Sequence, residues 1–165
     1  MANTLKIITA DGDAEEILPA FRRQWYASGR IVCYELRDIS QAIVNQWSQL
    51  AIETIQAWSA DKPYLALHDL SYPGVAMKSG WVHARVATPA ITDFGQQSLF
   101  PTPEAEAAFQ YRIAVLVSAQ QSGHFAEMIV SKQIGSSPAV LYHRTFLSRT
   151  AALNWLLVAG TQPLH

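Results

Sequence analysis

Three residues of one short run, His68, Asp69 and Ser71, supply the side-chain types of a nucleophilic triad. In such a site the acid orients the base and the base activates the hydroxyl. These three cannot work that way together. The run YLALHD before Ser71 reads as a strand, and successive strand residues point to opposite faces, so His68 and Asp69 cannot orient each other. The chain also lacks the Gly-x-Ser-x-Gly elbow that presents a nucleophilic serine. Asp69 is instead expected to sit at a strand end and accept hydrogen bonds from nearby backbone N–H groups.

The other reactive types are scattered. His68, His83, His124 and His143 are far apart and lack the close His or Cys pairs of zinc sites, so no metal is expected. A catalytic pair would have to be assembled from distant residues, such as His83 with Asp69, and the sequence ranks an enzyme last. The single cysteine, Cys33, stands between Val32 and Tyr34 in an apolar run and reads as a buried structural thiol. Gly-x-Gly and Gly-Lys-Ser/Thr are absent, which removes the usual phosphate-binding loops and leaves no cofactor implied. Of five tryptophans, Trp47, Trp58 and Trp155 fall on apolar helix positions. Trp25 and Trp81 are less committed to a core, and an exposed Trp81 would anchor a partner or ligand.

The elements that position these residues alternate. Residues 30–37 (RIVCYELR) form a β-type run, followed by Asp38 and Ser40 as candidate helix caps. Residues 41–58 carry Ile43, Val44, Trp47, Leu50, Ala51, Ile55 and Trp58 at helical spacing, and Pro63 closes that segment. Residues 64–69 form a second strand and 77–86 a second helix, and 92–104 is a loop or insertion. Residues 111–118 (YRIAVLVS) are nearly continuous in apolar types, as a strand covered on both faces should be. A short helix over 124–132, a break at 135–138, a strand over 139–146 and a final helix capped by Ser148 and stopped at Gly160 complete the series.

Before residue 30 the pattern is mixed. Leu5 to Thr9 offers a short strand, and Asp11-Gly12-Asp13 a turn. Ile17, Leu18, Phe21 and Trp25 have helix-like spacing that Pro19 interrupts. The expected organisation is an N-terminal extension (1–29), one α/β domain (30–160) with a mainly parallel sheet of about four to five strands, and a tail (161–165). An additional N-terminal strand would lie antiparallel at a sheet edge.

At 165 residues, half of them hydrophobic, the chain suits one packed domain. A net charge of −1 gives no field for nucleic acid or anionic lipid, and basic residues do not cluster with aromatics. No apolar run approaches the roughly 18 residues of a membrane span. The N-terminus lacks a signal-peptide apolar core, and with a lone cysteine this points to a reducing cytoplasm.

Three stretches carry a family resemblance over residues 30–160. YLALHDLS (64–71) looks like a central strand ending in Asp-Leu-Ser. KSG (78–80) lies where an Asp-Ser-Ser-Gly helix start would fall. FLSRTAALNWLL (146–157) is similar to a strand ending in Phe followed by Ala-Leu-x-Trp-Leu. In this order they resemble the STAS domain, the sulfate-transporter and anti-sigma-factor-antagonist (SpoIIAA-like) fold. The resemblance implies a non-enzymatic regulatory domain that meets protein partners, such as a kinase or sigma-factor regulator, near the strand ends. Its surface would comprise Asp69, Ser71, Lys78, Ser79 and Trp81. The family's phosphoacceptor serine is replaced by Lys78, which leaves Ser79 as the candidate acceptor if the register slips by one. The alternative is a small-molecule or lipid binder, with Trp25, Trp81 and the loop from Thr92 to Pro103 lining an apolar pocket. Exposed strand edges and aromatics would favour a symmetric homodimer.

Overall fold

The computed structural model describes residues 5–59, 61–73, 75, 110–119 and 142–159. They build a six-stranded mixed sheet whose spatial order follows the chain: β1 (Glu15–Leu18), β2 (Phe21–Tyr26), β3 (Ile31–Leu36), β4 (Tyr64–Asp69), β5 (Tyr111–Leu116) and β6 (Tyr142–Phe146). The pairs β1–β2 and β2–β3 are antiparallel, and β3 to β6 are parallel. Two helices are described, α1 (Gln41–Gln56) and α2 (Arg149–Ala159). The α/β class expected from the sequence holds. The helices expected at 77–86 and 124–132, and the 92–104 loop, fall outside the described residues.

Strand alternation sorts the side chains into two cores. Val32, Tyr34 and Leu36 of β3, Tyr64 and Ala66 of β4, and Ile113 and Val115 of β5 face α1, whose Ile43, Val44, Trp47, Leu50 and Ala51 cover them. Ile31 and Cys33, Leu65 and Leu67, and Ala114 and Leu116 face the other way, toward Ala152, Leu153 and Leu156 of α2. Every residue of β4 is therefore buried. That is why its sequence is continuous in apolar types up to His68 and Asp69. Burying each Leu or Val of such a strand contributes about 1.5–3 kcal/mol relative to exposure.

The ends of α1 differ from the sequence expectation. Ser40 occupies the N-cap position but makes no side-chain cap; the first turn closes through the Val44 N–H donating to the Ser40 carbonyl at 3.0 Å. The helix stops at Gln56, so Trp58 lies beyond it. Trp58 donates from Nε1 to the Pro63 carbonyl at 3.2 Å. It also packs edge-on against Tyr64 with ring centres 5.0 Å apart, and stacks on Trp25 at 6.2 Å.

The larger difference lies before residue 30. The helix-like spacing at 17–25 belongs to a β-hairpin, not to a loosely attached element, and Phe21 is fully buried in the α1-side core. Pro19 is the corner of its turn. Proline fixes the first central position, and Ala20 takes a left-handed φ of 72° at the second, as a type II turn requires. The sheet thus runs on antiparallel through residues 15–26, at the edge where one such strand was expected. Upstream, residues 5–9 form no strand. Ala10 makes a single bridge to Tyr26, and Gly12 turns the chain at φ 82°.

Candidate functional site

The C-terminal ends of β3 and β4 carry two carboxylates side by side. Glu35 and Asp69 are register partners across the parallel pair, and strand alternation sends both toward the α2 face. Adjacent strands are about 4.8 Å apart, so two negative groups here repel unless a cation joins them. Arg149, the first residue of α2, is that cation. Its Nη2 donates to Asp69 Oδ2 and lies 3.5 Å from Glu35 Oε2, while Nη1 donates to the Tyr26 hydroxyl at 3.0 Å. The planar fork of arginine suits this multi-point contact better than a lysine would.

Asp69 is engaged on both oxygens. Oδ1 accepts the Ser71 backbone N–H at 3.0 Å and the Ser71 hydroxyl at 2.6 Å. The expectation that Asp69 holds backbone beyond the strand is met in this turn. With only 4% of its surface exposed, the carboxylate needs such partners, because an uncompensated buried charge is costly. Glu35 carries the network outward: its Oε1 accepts from Arg37 at 2.9 Å, and the Arg37 guanidinium lies over the Tyr72 ring at 5.6 Å. Tyr72 is 47% exposed. The strand ends therefore present a polar chain from Ser71 through Asp69, Arg149 and Glu35 to Arg37 and Tyr72.

The electrostatics follow this geometry. Burial, the largest single influence, pulls the Arg149 guanidinium toward the neutral form, but Asp69, Cys33 and Tyr26 together outweigh it, and the net displacement is upward. Burial raises the Tyr26 hydroxyl, and its bond from Arg149 opposes that rise. Beneath them, burial pushes the Cys33 thiol up to about 12; Arg149 opposes, and Asp69 and Glu35 reinforce. A thiol so held is not a nucleophile at neutral pH, as its position in the apolar run implied.

His68 points away from this network into the α1-side core. Its ring meets Trp47 edge-on at 4.9 Å and tilts against Tyr34 at 5.8 Å. The His68–Asp69 separation read from strand alternation is thus seen in the contacts of the two side chains. Trp25 is half-buried in its stack with Trp58. Among the described residues, no group of three or more His, Cys, Asp or Glu side chains is placed to hold a metal ion. No helix among them is long and apolar enough to cross a membrane.

Of the surface residues expected from the sequence, Asp69 and Ser71 meet directly, while Lys78, Ser79 and Trp81 lie outside the described residues, as does His83. Sequence reasoning missed Arg149, Glu35, Tyr26 and Arg37. The signal for Glu35 was present in the alternation of RIVCYELR, which puts it on the Cys33 face. Arg149 carried no local signal beyond its place after the Ser148 cap. In comparisons with models of known families, with curated proteins and with solved structures, the chain matches none.

Proposed function

We propose that the chain is a STAS-like regulatory domain that acts by protein contact through the C-terminal ends of β3 and β4. One observation carries this reading: the carboxylates there are tied to Arg149, Arg37 and Ser71 instead of standing ready for proton transfer. What this network offers outward is a cation on an exposed aromatic ring, Arg37 over Tyr72. Arginine and tyrosine are the types that carry binding energy at protein interfaces. The strand–helix alternation that suggested the family is present in β3–α1–β4 and in β6–α2, and Asp69 ends its strand as the Asp-Leu-Ser resemblance implies. The partner class remains the one the resemblance implies, a kinase or sigma-factor regulator, with Ser79 the candidate phosphoacceptor.

The test is affinity capture from the source cells with the wild-type chain, Arg37→Glu and Tyr72→Ala as parallel baits. A partner retained by the wild type and lost by both variants, each still folded by circular dichroism, is the expected result. An unchanged set of captured proteins contradicts the reading.

A further inference from the structure

Asn154, in the middle of α2, is a poor choice for a helix interior, because its side chain competes with the backbone ladder. Its carboxamide is occupied on every side. Nδ2 donates to the Thr150 carbonyl one turn back at 2.8 Å, which fixes the orientation of the amide. Oδ1 then accepts the backbone N–H of Lys6 at 3.1 Å, and Nδ2 donates to the Lys6 carbonyl at 2.7 Å. One amide bonding both backbone groups of a single residue does what a neighbouring strand does for an extended chain. It reads no side chain, and Lys6 itself is exposed.

The residues around Lys6 complete the pattern of a bound peptide. Ile8, two positions on, packs against the α2-side core, whose rim includes Phe146, Trp155 and Leu157. Its neighbour Ile7 points out, 83% exposed, and Leu5 is 53% exposed. From Ala10 the chain is fixed to the sheet by the bridge to Tyr26, the Asp11 N–H donating to the Trp25 carbonyl at 2.9 Å, and the Gly29 N–H donating to Asp11 Oδ2 at 2.8 Å. Residues 5–9 therefore form a strap anchored at one end and seated on a backbone-reading site.

We propose that this flank of α2 is a docking site for an extended segment of a partner protein with a branched apolar residue two positions after the one Asn154 holds. In the free protein the chain's own residues 5–9 occupy the site as an intramolecular competitor. The proposal rests on the protein-contact reading above and adds a second surface to it. A short tether gives the strap an effective concentration of about millimolar, so weak extended segments are refused and tighter ones displace it.

The probe is a fluorescent peptide of residues 4–10, Thr-Leu-Lys-Ile-Ile-Thr-Ala, titrated into the full chain. Ile8→Asp weakens the strap and leaves Asn154 and the α2 flank unaltered. Lys6→Pro, which removes the N–H that Asn154 accepts, serves as the independent second release. The peptide is expected to bind either released chain at least about tenfold more tightly than wild type. Adding Asn154→Ala to the released chain is expected to abolish the gain. Equal affinity for wild-type and released chains, or a gain that survives Asn154→Ala, overturns the proposal. Circular dichroism confirms that each variant is folded. Arg37→Glu, placed at the strand-end surface, leaves peptide binding unchanged, so failure here and failure of the strand-end reading are separable.

Discussion

Arg149 and Asp69, 80 residues apart in sequence, form an ion pair that pins the first turn of α2 to the last residue of β4. The pair exists because Glu35 lies in register beside Asp69, and the two carboxylates need a shared cation. Arg149 is also partly open to solvent, with 38% of its side chain exposed, so its attraction is screened from that side. Asp69 has no such outlet. The pair is therefore asymmetric, and removing the cation harms the carboxylate more than the reverse.

Arg149→Met is expected to destabilise the fold by about 2–4 kcal/mol at neutral pH, since it leaves a buried carboxylate without its partner. Adding Asp69→Asn should recover much of the loss, with a coupling energy of about 1–2 kcal/mol in a urea-denaturation cycle.

Cys33 sets an alkaline limit. Its thiol is raised from 9.0 to about 12 by burial, so above pH 9 the unfolded chain loses the proton that the folded chain keeps. Its stabilising contribution is whole below pH 9 and disappears as pH climbs through 12. Between pH 9 and 10 stability should fall by about 1 kcal/mol. Cys33→Ala should flatten that slope in thermal melts across the same interval. A slope unchanged by the substitution would remove Cys33 from the explanation.

Ala20 holds a φ of 72° in the turn between β1 and β2, a conformation that costs a non-glycine residue about 1–2 kcal/mol. Ala20→Gly removes that strain at the expense of a more flexible unfolded chain. The net expectation is a stabilisation of about 0.5–1 kcal/mol, read as a higher urea midpoint with unchanged slope. A lower midpoint would show that the turn is not strained.

How far the sequence reveals this arrangement depends on whether a feature is local. The strands β3, β4 and β5 were legible because burial on both faces demands unbroken apolar runs, and α1 because one buried face imposes helical spacing. The hairpin at 15–26 was not. Ile17, Leu18, Phe21 and Trp25 satisfy a helical period as well as a strand one, and Pro19 reads as a breaker until its turn is known. At the site, Asp69 and Ser71 were legible because their hydrogen bonds span two residues. Arg149 was not, because its choice of partner depends on the register of β3 against β4, which no local pattern encodes.

The proposed protein-contact surface, from Glu35 and Asp69 at the strand ends to Tyr72 beyond β4, is tested by amide hydrogen exchange on the full chain with and without its captured partner. Slowed exchange at Arg37, Leu70, Ser71 and Tyr72, with β1 and β2 unchanged, is the expected result. Protection confined to β1 and β2, with none at the ends of β3 and β4, would contradict it.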